Sequence, residues 1–407
     1  MDYVFSSKTK KIVLGTAILG LVLFVLAALT DGHPDYGLLG EHGLGQRIWS
    51  NVLVNGFFFF SIAFSIMFFM ALQNVSEASY AVVFKRVFEA IISVLPYTIL
   101  VIFIVLLAGQ LHLHHLYHWQ NYDYSLTEGQ EGYDKLLKGK EIFFSPAFFY
   151  SVFALFMVVF IYYVGYFRKK SLQEDAEGGT AIHKKNIAMS AVFLVFFGYG
   201  SSVLAWQIIM SIDAHWFSTL FGWYIFAGMW LTGMVFATIL IYFLKSKGHL
   251  EIAKRGHMHD MGKWMFALSV LWTYMFFSQF MLIWYADIPE EVTYYIARIE
   301  DYGVIWWGMM LMNFVLPMIF LMDADAKVKK GLVVTIGVII FIFHWFDVYT
   351  LVMPGTMKDG AQFGFLEIGM FLLFLGLFVF MVLNALSKRP LVVKNHPYLE
   401  ESKHIHG

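Results

Sequence analysis

The sequence predicts an all-α, polytopic membrane protein with ten transmembrane helices, on three observations. The 407 residues are 59% hydrophobic and only 14% charged, with a mean hydropathy of +0.66, whereas soluble domains sit near ~45–50% apolar. The apolar surplus falls in blocks of about 20 or more residues, the length a helix needs to cross ~30 Å of hydrocarbon. The blocks are continuous and do not alternate, which selects helices over barrel strands.

Taken in order, the spans lie near 12–30, 47–72, 84–109, 146–167, 187–212, 218–244, 264–286, 302–322, 332–353 and 363–386. They make one integral membrane domain over 1–407. The segment Met1–Lys11 is a charged lead, and the 19-residue first span exceeds a usual signal-peptide core, so it reads as an uncleaved anchor. Pro96 in span 3 and Pro317 in span 8 each remove a backbone donor and should kink their helices. Helix count suggests two four-helix groups, spans 2–5 and 6–9, with spans 1 and 10 peripheral. The longest extramembrane piece is His112–Ser145, followed by 168–186, 245–263 and the tail 387–407. Gly178-Gly179 reads as a turn. The tail is expected along the inner surface or against a neighbour.

Orientation follows from Lys and Arg, which cluster in the connecting segments and at span ends. With the N-terminus inside, 22 of the 28 fall on the inner side and 6 on the outer. Both termini are therefore expected in the cytoplasm, as in a multi-pass protein of a bacterial inner membrane. The outer segments hold 15 acids, the counterpart of the inner bias. The chain has no cysteine. That excludes disulfides, thiolate-ligated Fe–S clusters and covalently attached haem c within it. Any redox metal centre belongs to a partner.

Ionisable groups within the spans are few, and such groups usually face protein or water. Glu89 lies near the inner end of span 3, as a partner for Lys85 or Arg86 or as the entry of a proton path. Glu367 lies one turn inside span 10 and is expected to reach the interface. His344 and Asp347 are three residues apart, so they share one face of span 9, read as near its outer end. An imidazole beside a carboxylate can accept and pass protons near neutral pH; the bland alternative is a pair that locks two helices.

Span 5 ends in Ser211-Ile-Asp213-Ala-His215-Trp216-Phe217-Ser218. Tyr199, Ser202, Trp206 and Asp213 are spaced 3, 4 and 7, so one helix face carries them all. Such a stripe could line a water file or hydrogen-bond a quinone oxygen, or Asp213 could simply cap the next helix. Tyr274, Ser278 and Tyr285 form a second stripe on span 7, with Gln279 beside it; interfacial aromatic belts are the alternative. His112, His114, His115 and His118 cluster where span 3 emerges. His114 and His118 have metal-ligand spacing, but no acidic or Cys ligand is fixed nearby, so no metal is assigned. Only His344 lies within a span, which leaves no pair of ligands for a b-type haem. No residue is assigned as catalytic.

Three stretches carry a resemblance: 202–228 (SVLAWQIIMSIDAHWFSTLFGWYIFAG), 276–291 (FFSQFMLIWYADIPEE) and 344–354 (HWFDVYTLVMP). They resemble the ten-helix integral subunits of bacterial alternative complex III, a quinol:cytochrome c oxidoreductase. Those subunits belong to the polysulfide-reductase membrane-anchor (NrfD-like) superfamily. The resemblance covers essentially the whole chain. Two such membrane subunits occur in the complex, and this chain is similar to the smaller one in its length and short loops. The resemblance implies a scaffold with proton half-channels or a quinone pocket. Asp213 and His215 would stand at the outer end of one bundle, His344 and Asp347 at the equivalent place in the other. It implies a homologous larger membrane subunit, an Fe–S subunit, multihaem cytochrome c subunits and a terminal oxidase as partners. Fe–S clusters and haem c would sit in those partners, with quinone or quinol as the mobile carrier. Its quinone-binding residues are unassigned. Phospholipids surround such a protein, and no nucleic-acid partner is expected. Two other classes compete: a secondary transporter, and a purely structural anchor. Matched broken helices and midplane ion ligands would mark a transporter, yet Pro96 and Pro317 do not fall at matched positions.

Overall fold

The computed structural model describes residues 3–30, 43–358 and 363–405. It is all-helical, with no strand among the described residues. Among the described residues, ten helices are long and apolar enough to cross a membrane: Ser7–Thr30, Leu44–Val75, Tyr80–Gln110, Pro146–Glu177, Ala181–Ile208, Phe221–Ser246, Arg255–Ala286, Gly303–Leu321, Lys330–Met357 and Phe365–Leu386. They are numbered spans 1 to 10. Their alternation puts most Lys and Arg at one end of the molecule, the basic end, and most loop acids at the other, the acidic end.

Spans 2 and 6 form the centre. The apolar windows of these two are 89% and 83% buried, against 22% for span 1. Their seam is filled by aromatics, since a helix apolar all round must be covered on every side. Phe68 of span 2, for example, lies 5.0 Å from both Phe226 and Trp230 of span 6, ring centre to ring centre. Span 2 packs on spans 3, 5, 6, 9 and 10. Span 3 packs on span 4 and span 4 on span 5, while span 6 packs on spans 7 and 9. Span 10 is less peripheral than helix count predicts, because it lies against both span 1 and span 2.

The prolines act as expected. Span 3 breaks at Ser93-Val94 and restarts as Leu95–Gln110, with Pro96 in the first turn, where its missing N–H costs nothing. Before Pro317, span 8 widens into a π-helical turn, Leu311–Val315. Several helices overrun the predicted ends. Spans 4 and 5 continue through most of 168–186, leaving a turn at Gly178–Thr180 whose glycines have φ +68° and +73°, a region only glycine enters freely. The segment after span 7 is a further helix, Pro289–Glu300. It has Pro at its start, acids in its first turn and Arg298 in its last, each favoured at that end.

Spans 1 and 10 touch through glycines. A Cβ on Gly20 would stand 2.3 Å from the backbone nitrogen of Leu373, and one on Gly376 would stand 2.7 Å from that of Ala17. Small residues let helix backbones approach closely in lipid. Gly20→Ile is therefore expected to separate the two helices. Because the chain has no cysteine, a single engineered pair at positions 27 and 366, which pack together between the same two helices, would report this cleanly. Disulfide cross-linking should be efficient with Gly20 and lost with Ile; equal yield in both would refute the close packing.

Glu367 does not reach the interface. It is fully buried and receives two bonds from the Arg47 guanidinium (2.8 and 2.7 Å), one from the Asn51 amide (3.1 Å) and one from the Gly364 N–H (2.8 Å). Arg47, at the start of span 2, offers a closer partner than the interface does, so the acid turns inward.

Candidate functional site

Asp347 and His344 sit deeper than the sequence places them. Span 9 runs from Lys330 to Met357, so His344 is half-way along it and Asp347 about one turn nearer the acidic end. Both are buried. Each Asp347 oxygen takes a donor from another helix: the Tyr224 hydroxyl of span 6 on Oδ1, and the Trp272 indole N–H of span 7 on Oδ2 at 3.0 Å. His344 Nδ1 lies 3.5 Å from Oδ2, and its ring meets Trp272 edge to face. Three helices thus converge on one carboxylate inside the membrane-spanning layer. A charge there is expensive unless compensated, and these donors compensate it.

The middle of the layer is also more polar than the sequence suggests. His344 Nε2, Ser269 Oγ and both amide atoms of Asn313 are buried with no hydrogen-bond partner in the chain. Each stands near the midpoint of its helix, in spans 9, 7 and 8 respectively. Asn313 belongs to the π-helical turn, a device that often marks functional positions. Buried polar atoms without protein partners are where ordered water is expected.

Toward the acidic end, the turn after span 5, the helix Pro289–Glu300 and the end of span 9 enclose a cleft of about 570 Å³ lined by Asp213, His215, Tyr294 and Arg298, among others. Arg298 anchors it. Its guanidinium donates to the carbonyls of Thr350 (3.1 Å) and Tyr294 (2.7 Å), and to Asp213 Oδ2 (3.1 Å). It also lies 3.3 Å above the Tyr294 ring, whose other face stacks on Trp216 at 3.9 Å. Asp213 is part-exposed and bridges cleft and anchor. A Cβ on Gly355 would stand 2.8 Å from Asp213 Oδ1, so glycine there makes room for the acid. Burial pushes the Tyr294 hydroxyl well above its ordinary value. His215 reaches away from this group to Asp134. Burial raises the Asp134 carboxyl, but the His215 bond and the Leu136 and Leu137 N–H groups more than offset it, so it ends below the usual range.

Glu89 belongs to a separate group at the basic end. It accepts from Arg86 at 2.7 Å, and Arg86 also bridges to Asp175. Both members of the Glu89–Arg86 pair are buried. Of the two sequence readings for Glu89, the geometry displays the pairing with Arg86.

The two polar stripes do not enter the bundle as a unit. Tyr199, Tyr274 and Tyr285 are exposed, at 73%, 63% and 82%, on the outer surface of the helices. Asp213 falls in a short 3-10 turn, Met210–Asp213, beyond the end of span 5, so the one-face count from Tyr199 fails where the helix stops. Ser202 packs against Gly222 of span 6. Ser278 is half-buried; Gln279 is buried with its carbonyl oxygen unpartnered. The histidine cluster holds loops: His114 Nε2 meets the Val105 carbonyl at 2.8 Å and Nδ1 accepts from the Leu116 N–H. Sequence reasoning missed Arg298, Tyr224, Trp272, Tyr294 and Asn313. The available signal for Arg298 was a lone Arg in a segment beginning Pro-Glu-Glu, which fits a short surface helix.

Burial pushes His114 down to about 4, against its backbone bond to Val105. A histidine with a lowered folded value is neutral when folded, so its contribution is complete above about 6.5 and is lost as pH falls toward 4. Between pH 7.5 and 5 this site alone is expected to cost about 2 kcal/mol. Thermal unfolding in detergent should show that loss, and His114→Gln should shrink it; an equal loss in the variant would refute the assignment.

The ten membrane-capable helices among the described residues suggest a multi-pass membrane protein, with one carboxylate, Asp347, buried where three of them meet. No protein-family profile matches the chain, and no curated protein matches it.

Proposed function

We propose that the chain is a membrane subunit of a respiratory quinol:cytochrome c oxidoreductase, with both termini in the cytoplasm of a bacterial cell. In this reading the acidic end faces outward, and spans 2–5 and 6–9 are its two four-helix groups. Quinol oxidation, Fe–S clusters and haem c belong to partner subunits. This chain supplies scaffold and an outward proton route. His344, Asp347 and Tyr224 form the inner part of that route, and the cleft beside Asp213 its mouth. The observation that supports it best is Asp347, buried within the membrane layer and held by donors from two other helices.

The chemistry is proton relay, not bond making. A carboxylate with a hydroxyl donor on one oxygen and an imidazole near the other can exchange protons by short rotations. The wet cleft delivers them to the surface. Arg298 keeps its donors on backbone carbonyls and Asp213, so it shapes the mouth and leaves the relay free of a fixed cation.

Extraction from native membranes in mild detergent tests the reading. The chain should co-purify with subunits that carry haem and non-haem iron. Recovery free of both would overturn it, and uptake of a solute by vesicles holding the chain alone would favour a transporter instead.

A further inference from the structure

We infer that the basic end carries a divalent-metal site of zinc type, formed by Glu174, His183 and His396. The turn at Gly178–Thr180 folds the end of span 4 onto the start of span 5, and so brings Glu174 beside His183. His396 arrives from the tail. One ligand atom from each lies within 4.8 Å of the others, and all three residues are buried.

The donor atoms are prepared for a ligand. Glu174 splits its oxygens: Oε2 takes Lys85 Nζ at 2.8 Å, while Oε1 has no hydrogen-bond partner in the chain. Both ring nitrogens of His183 are likewise without one. His396 Nδ1 accepts from the Tyr398 N–H at 3.3 Å, a long bond that ligation of the ring would break.

The distances suit a small ion. Zinc at ~2.0–2.2 Å from N and O donors, in a tetrahedron, sets ligands about 3.4 Å apart. Glu174 Oε1 and His183 Nδ1 are 3.6 Å apart. The His396 ligand atom lies within 4.8 Å of both. An adjoining cavity of about 30 Å³, lined by Gln73, Lys85, His183, His396 and Tyr398, has room for one water as fourth ligand. Two imidazoles and one carboxylate favour zinc over magnesium or calcium, which prefer all-oxygen shells. Lys85 holds the carboxylate so that a single oxygen is offered.

The tail already docks here. The Lys394 N–H and the Asn395 amide bond Asp175, and the Tyr398 hydroxyl bonds Glu77. A bound ion would tie spans 4 and 5 to the tail as a structural clasp.

Zinc itself is the probe, on the full chain purified without a polyhistidine tag. Retained metal by mass spectrometry should be one equivalent per chain. Cobalt substitution should give the visible absorption of a tetrahedral site. His183→Ala or His396→Ala should weaken retention by at least about tenfold. Glu174→Gln preserves size and fold and should do the same, whereas Gln73→Ala, in the cavity wall, should keep the equivalent. A wild-type chain that retains no zinc, or a folded Glu174→Gln that retains a full equivalent, would overturn the site.

Discussion

Arg298→Met is expected to lower stability by about 3–5 kcal/mol, the range for breaking a buried charged network by removing one member. The side chain is almost wholly enclosed and satisfies the carbonyls of Thr350 and Tyr294, besides pairing with Asp213. Methionine fills much of the volume but donates nothing, so the Thr350 carbonyl, which faces Pro354 one turn on and has no helical N–H to accept from, loses its partner at about 1–3 kcal/mol. The Trp216–Tyr294 stack also loses its cation cap. Arg298→Lys should rescue little, because a single ammonium cannot serve carbonyls on two segments at once. Thermal unfolding in detergent, followed through tryptophan emission, checks both. A Lys variant as stable as the parent would show that charge alone matters and that the fork geometry does not.

Glu89→Leu should be nearly as damaging, at about 3 kcal/mol or more. Arg86 donates to it, and Arg168 and Arg389 line the same small void. Removing the carboxylate leaves those three guanidiniums with Asp175 as the close acid that remains, bridged to Arg86. Glu89→Gln keeps an acceptor for Arg86 and should cost less. Unfolding measured for the two variants side by side decides it: if Leu and Gln cost the same, the guanidinium cluster is not what Glu89 holds together.

The ten spans were legible because a bilayer demands long continuous apolar runs, and the prolines because a missing donor acts locally. The surroundings of Asp347, the proposed relay, were half legible. His344 and Asp347 announce each other three residues apart, but Tyr224 and Trp272 are 123 and 75 residues away from Asp347, and no local pattern couples them. Periodicity misled where a helix ended early: Asp213 left the face of Tyr199 once span 5 gave way to a tight turn. The exposed tyrosines followed the spacing of a stripe yet face outward, because amphipathic rings suit the membrane boundary as well as a water file. Glu367 looked interfacial because its partner, Arg47, is 320 residues away.

The relay stands or falls on Asp347. Asparagine matches it in shape and can keep the Tyr224 and Trp272 contacts, yet it cannot take up a proton. In the intact complex carrying Asp347→Asn, with haem and iron content unchanged, quinol-driven reduction of cytochrome c coupled to proton release should fall by about 10²-fold. Wild-type turnover with full proton release in that assembled variant would contradict the account.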